Sequence, residues 1–259
     1  MALCLTLHRL AFPSRWKDKV QQFGRSSGTL SRIFNSVVIH LAVTFKHLLE
    51  WHPRLRSYRR LRSFAKAIKR QSGAGSIWGF VDGTFKPVAR PSKNQKSFYS
   101  GHKKQHGIGF QGIVTPDGML SSLIGPYYGK DNDWAMFLRS GVTRRLRRIM
   151  NAVPGRRMLY LYGDPAYHNS YGVMAPFDKR NDAVITPEQR AFNARMSSVR
   201  ISVEHGFGKA YRLWQYTAYK QQQRVGQQPT AAYYIAAVLL ANCHTCLEGY
   251  NQTSRQFGL

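Results

Sequence analysis

The run Ile77-Trp-Gly-Phe-Val81 is continuously apolar and ends in Asp82-Gly83; a second such run, Met158 to Tyr162, ends in Gly163-Asp164-Pro165. Unbroken apolar runs of this length read as strands covered on both faces, so the chain must place layers on either side of a sheet. Between them, Gly107 to Val114 and Met119 to Ile124 are strand-like and joined by Thr115-Pro116-Asp117-Gly118, whose Pro and Gly suit a tight hairpin turn. The spacing of Trp134, Phe137, Leu138, Leu146 and Ile149 predicts a helix over 131–150, broken at Pro154-Gly155. The resulting order, three strands in a meander, a helix and a further strand, is that of an α/β fold.

Helical patterns flank this stretch. Residues 1–72 read as a basic helical region. Leu30, Ile33, Phe34, Val37, Leu41, Phe45 and Leu48 form one stripe, ended by Trp51-His52-Pro53, and a second helix follows. That second helix, Arg54 to Arg70, carries basic residues and no acid, while Leu55, Tyr58, Leu61, Ala65 and Ile68 keep helical spacing. Gln71 to Ser76 reads as a linker. On the far side, Thr186 is the expected N-cap of a long helix from Pro187 to about Trp214, striped by Met196, Val199, Val203 and Phe207. Thr230 to Leu247 reads as a final buried helix. The expected organisation is a helical region over 1–72, a catalytic domain over 73–250 and a tail over 251–259.

The longest apolar stretch, Ala231 to Ala241, falls short of the roughly 18 residues that suggest a membrane span, and the N-terminus lacks the pattern of a secretory signal. No membrane association is expected. Three cysteines make no disulfide framework and fit a reducing compartment. Cys243-His244-Thr245-Cys246 offers at most three ligands, one short of a structural zinc site.

Charge narrows the function. Lys and Arg number 39 and Asp and Glu 12, a formal net charge of +27, which favours a polyanionic partner, nucleic acid before membrane. The scarce acids then need reasons. Asp82 and Asp164 both follow buried strands, and in open α/β sheets the carboxyl ends of strands converge on one crevice. Neighbouring carboxylates there imply a hard divalent cation, Mg²⁺ or Mn²⁺, which suits phosphodiester cleavage. The competing reading is that each Asp is a turn residue accepting backbone hydrogen bonds. Glu204 alone reads as solvated or paired with Arg200 one turn away.

Several separated blocks bear on that choice: Val81-Asp-Gly-Thr84, Gly101-His-Lys-Lys104, Gly129-Lys-Asp-Asn-Asp133, Gly163-Asp-Pro-Ala-Tyr167, Ala175-Pro-Phe177, Phe192-Asn193 and Arg200-Ile-Ser-Val-Glu-His-Gly-Phe-Gly208. In order and spacing, over about 77–247, they resemble the catalytic domain of PIF/Harbinger-type transposases of the Asp-Asp-Glu superfamily. The resemblance implies an RNase H-like mixed sheet of five strands, the first three antiparallel, with helices on both faces. It implies Asp82, Asp164 and Glu204 as catalytic acids and metal ligands, with Asp133 as a fourth metal ligand; the alternative for Asp133 is an acid favoured at a helix start. Arg200, His205 and Lys209 are expected to position a phosphate; His205 stands where the family commonly has arginine.

The resemblance further implies a metal-dependent DNA endonuclease that joins a freed 3′-hydroxyl to target DNA, acting in the nucleus with a Myb-like DNA-binding partner and as a homo-oligomer. The family's N-terminal helical segment is longer, so the region before Leu7 is expected to be truncated. The alternative function is a domesticated or decayed derivative that binds DNA without cutting it.

Overall fold

A computed structural model describes residues 1–153, 155–178, 184–220 and 223–259. The chain begins with α1 (Ala2–Ala11), α2 (Trp16–Phe23), α3 (Ser27–Glu50) and, after a 3₁₀ turn at Pro53–Arg56, α4 (Tyr58–Ser72). Ser26 starts α3 by accepting the Thr29 amide at 3.3 Å, satisfying one of the unpaired donors of the first turn. Leu61, Phe64, Ala65 and Ile68 of α4 are buried, while Arg59, Arg62 and Lys66 on the other side face solvent.

The sheet follows: β1 (Ile77–Pro87), α5 (Gln95–Phe98), β2 (Tyr99–Ser100), β3 (Gln105–Val114), β4 (Leu120–Tyr128), α6 (Asp133–Ser140), α7 (Val142–Asn151), β5 (Tyr160–Tyr162) and β6 (Val173–Met174). β4, β3 and β1 are antiparallel neighbours, and β5 and β6 add to β1 in parallel. β2 pairs only with the start of β3. The fold is the expected α/β architecture, consistent with an RNase H-like sheet. It has six strands rather than five, because the two-residue β2 joins it.

Three expectations need correction. Asp82-Gly83 does not end β1. The strand runs on to Pro87, because β3 stays paired with it from Phe80↔Val114 to Pro87↔Gly107. Only the parallel pairing with β5 stops early, at Phe80↔Tyr162. The helix expected over 131–150 is two helices: Gly141, with φ of +71°, turns the chain between α6 and α7. Leu138, expected on the apolar side, is 63% exposed.

α8 (Pro187–Leu213), α9 (Thr230–Glu248) and α10 (Gln252–Gln256) complete the fold. Thr186 and Gln189 form a reciprocal capping box at the start of α8, as the sequence predicts for Thr186. Met196, Val199 and Phe207 are buried; the Val203 side chain lies outside the described residues. α3 and α9 are each long and apolar enough to cross a membrane by length and composition, and α9 is a core helix. Its Tyr234, Ala236, Ala237 and Val238 are at most 1% exposed. Tyr233 of α9 stacks on Phe34 of α3, within a cluster that includes Leu10 and Val38. The N-terminal helices therefore share a core with the helix that covers the sheet.

Candidate metal centre

Two residues beyond the last parallel pair, Phe80↔Tyr162, come Asp82 on one strand and Asp164 on the other. Equal offsets from a paired register bring both aspartates to the same end of the sheet. Asp133, the first residue of α6, reaches the same place. Carboxylate oxygens of Asp82, Asp133 and Asp164 all lie within 4.8 Å of one another. Among the described residues no other group of three or more His, Cys, Asp and Glu side chains converges in this way.

The turn reading of the two strand aspartates is correct for one oxygen of each. Asp82 Oδ1 accepts the Gly83 amide at 2.9 Å, and Asp164 Oδ1 accepts the Ala166 amide at 2.9 Å. These bonds orient the carboxyl groups and leave lone pairs directed elsewhere. The helix-start reading of Asp133 holds as far as the dipole goes, since Asp133 lies in the first turn of α6, but the cap is Asn132: its Oδ1 accepts the Ala135 amide at 2.7 Å. The carboxylate of Asp133 instead lies over Gly83, where any side chain would overlap it.

Burial and neighbouring carboxylates make Asp82 and Asp133 costly to ionise. The Asp82 carboxyl is pushed up to about 6, chiefly by burial and secondarily by Asp164 and Asp133, against the pull of Arg200. Arg200 of α8 donates to Asp82 Oδ2 at 3.1 Å. Asp133 is also raised by burial and by Asp164, with Lys103 and His102 opposing. Gly101-His-Lys-Lys104 thus lends its positive charge to this corner. Arg200 and Lys103 against three carboxylates still leave negative charge uncompensated, and oxygen donors so arranged fit a hard divalent cation.

Glu204 is exposed on α8, one turn beyond Arg200, and is not part of the trio. His205 and Lys209 face another way. With Arg212 and His244 they line a separate hollow, and Lys209 Nζ donates to Thr245 Oγ1 at 2.6 Å. Of the three expected phosphate-positioning residues, only Arg200 stands at the acids. Cys243 and Cys246 are free, exposed thiols.

Tyr167 was not singled out by sequence reasoning. It is 2% exposed, and among the described residues its hydroxyl has no hydrogen-bond partner. Burial and the negative charge of Asp133, Asp82 and Asp164 hold the phenol well above its ordinary range, so it remains a proton donor. The signal was its place in Gly163-Asp-Pro-Ala-Tyr167: the ring packs against Gly163, where a side chain would collide with it. The Ala175-Pro-Phe177 and Phe192-Asn193 blocks also meet. Asn193 of α8 accepts the Phe177 amide at 3.1 Å and donates to the Phe177 carbonyl at 2.8 Å, tying the segment after β6 to the helix.

Residues 81–242 match the family model described as DDE superfamily endonuclease. A relative from Microchaete diplosiphon, described as a probable transposase for insertion sequence element IS702, is 26% identical over 129 residues. That alignment covers 48% of this chain and 43% of the relative, so the chain spans less than half the length of that protein. No solved structure matches the chain.

Proposed function

The chain belongs to the DDE superfamily endonucleases, and on that footing we propose that it is a PIF/Harbinger-type, metal-dependent DNA endonuclease. The observation that carries the proposal is the convergence of Asp82, Asp133 and Asp164 within 4.8 Å on a chain of net charge +27. In this reading those three aspartates hold Mg²⁺ or Mn²⁺, and Glu204 completes the ligand set. A divalent metal held there supplies activation of water and stabilisation of the leaving oxygen in phosphodiester cleavage.

The chain's own groups do the rest. Arg200 keeps Asp82 ionised and oriented and is placed to meet a phosphate that approaches the acids. Tyr167 holds its proton at the hydroxyl beside them. Lys103 and His102 offset anionic repulsion at the mouth of the site. Joining of the freed 3′-hydroxyl to target DNA, a Myb-like partner, homo-oligomer formation and action in the nucleus belong to the same reading.

The test is cleavage of element-end DNA with Mg²⁺. Wild-type protein cuts, whereas Asp82→Ala and Glu204→Ala lose activity; retention of full activity by either variant would overturn the assignment of that residue. A second reading, a derivative that binds DNA without cutting it, is favoured by the position of Glu204 outside the trio. Strongly salt-sensitive DNA binding with no Mg²⁺-dependent cleavage decides for it.

A further inference from the structure

The acids of this chain mark which of its arginines are held in the fold. Asp117 takes Arg54 and Arg60, Glu50 takes Arg145, Asp131 takes Arg139 and Asp82 takes Arg200. Around one hollow four arginines gather without such a partner. A cavity of about 520 Å³ between the start of α4 and the end of α7 is lined by Arg56, Arg59, Arg62 and Arg156, with no acid among the described residues of its walls. Among the described residues none of the four is paired with a carboxylate, and all four are exposed.

The hollow is built and extended. Tyr58, 9% exposed, forms its floor; its hydroxyl donates to the Arg157 carbonyl at 3.0 Å, and the Arg156 guanidinium lies 5.8 Å from its ring. Val153 and Arg156 also line an adjoining cavity of about 370 Å³, which ends at Tyr171, with Arg147 over that ring at 4.8 Å. The two hollows share Val153 and Arg156 and are taken together as one groove, with four guanidiniums on its walls and that of Arg147 at Tyr171. A small anion would need two or three donors at a point; charges strung along a groove match a linear polyanion. The groove opens at the amino end of β5, where Met158 stands, whereas Asp164 lies beyond the carboxyl end. The six residue steps from Met158 to Asp164 span about 20 Å in extended chain.

We propose that this groove binds the phosphate backbone of duplex DNA at a site separate from the acid trio, contributing grip and not chemistry. It rests on the reading that DNA is the substrate.

The test is duplex binding by the full chain, measured by fluorescence anisotropy in EDTA at several NaCl concentrations. For the variant R59Q/R62Q/R156Q, the slope of log affinity against log salt is expected to fall by about 2 to 3, at roughly 0.9 for each phosphate no longer neutralised. R59K/R62K/R156K keeps most of the slope, because the charge is retained. With saturating DNA and Mg²⁺ the glutamine variant cleaves within about twofold of wild type, since grip limits binding and not turnover. An unchanged slope, equal losses in the lysine and glutamine variants, or a larger slope loss on single-stranded RNA of equal length would overturn the proposal. Absent cleavage with the slope difference intact would instead remove the nuclease reading and leave the groove standing.

Discussion

Gly83 and Asp133 claim the same space: the Asp133 carboxylate sits where a side chain at Gly83 would project, with Met136 close behind it. The Asp-Gly pair on β1 therefore supplies one acid of the trio and admits another. Gly83→Ala is expected to displace Asp133, lowering Mn²⁺ affinity and Mg²⁺-dependent cleavage about tenfold or more, since ångström-scale misplacement is costly at such sites. The overpacking costs about 1 to 3 kcal/mol of stability. Calorimetric Mn²⁺ titration of folded protein measures the first effect, and wild-type affinity in the variant would contradict it.

Asp82 is held against its own burial. Asp82→Asn is expected to raise the melting temperature in EDTA at pH 7.5, because the folded protein no longer confines that charge beside Asp133 and Asp164. Excess Mn²⁺ should stabilise wild type, by about 2.7 kcal/mol at a hundred times Kd, and have little effect on the variant. Thermal melts with and without metal check both signs.

Removing the Tyr167 hydroxyl separates function from folding. The buried group has no partner, so Tyr167→Phe should leave stability unchanged or higher. Cleavage is expected to fall about a hundredfold or more, as for loss of one positioned proton-transfer group. Wild-type turnover in the variant would show that the hydroxyl takes no part.

Lys86 gives the fold a pH dependence away from the acids. It is 3% exposed, donates to the Thr217 carbonyl at 2.9 Å and lies over the Tyr211 and Tyr234 rings; burial lowers its ammonium to about 6. Between about pH 6 and 10 the unfolded chain binds a proton that the folded chain does not, so stability rises with pH across that window. The slope is at most about 1.4 kcal/mol per unit. Urea unfolding of wild type and Lys86→Met at pH 6.5, 7.5 and 8.5 should give a rising and a flatter series, respectively.

Much of the sheet was legible because burial on both faces leaves unbroken apolar runs, as in Ile77 to Val81. The remainder of β1 was not, since Thr84 and Lys86 look polar and the strand persists only through its pairing with a distant segment. The break between α6 and α7 was hidden because Leu146 and Ile149 continue a helical spacing across Gly141. Asp82 and Asp164 stood out as acids after buried strands. Asp133 could be placed only by resemblance, since the helix dipole favours an acid at that position whether or not it also meets Asp82 and Asp164. Glu204 likewise came from resemblance, and its exposed position follows from a helical face that periodicity alone does not orient.

The turn between β3 and β4 holds more of the molecule than its four residues suggest. Its Asp117 carboxylate stands 3.6 Å from Arg54 and 3.5 Å from Arg60, and its carbonyl accepts Asn251 Nδ2 at 2.8 Å. The start of α4, the edge of the sheet and the C-terminal turn are thereby riveted at one point. The same turn continues into β3, whose Gly112 is paired with Asp82. The arginine-lined flank and the three carboxylates are thus tied to one sheet, so a displacement of the turn would be felt at both.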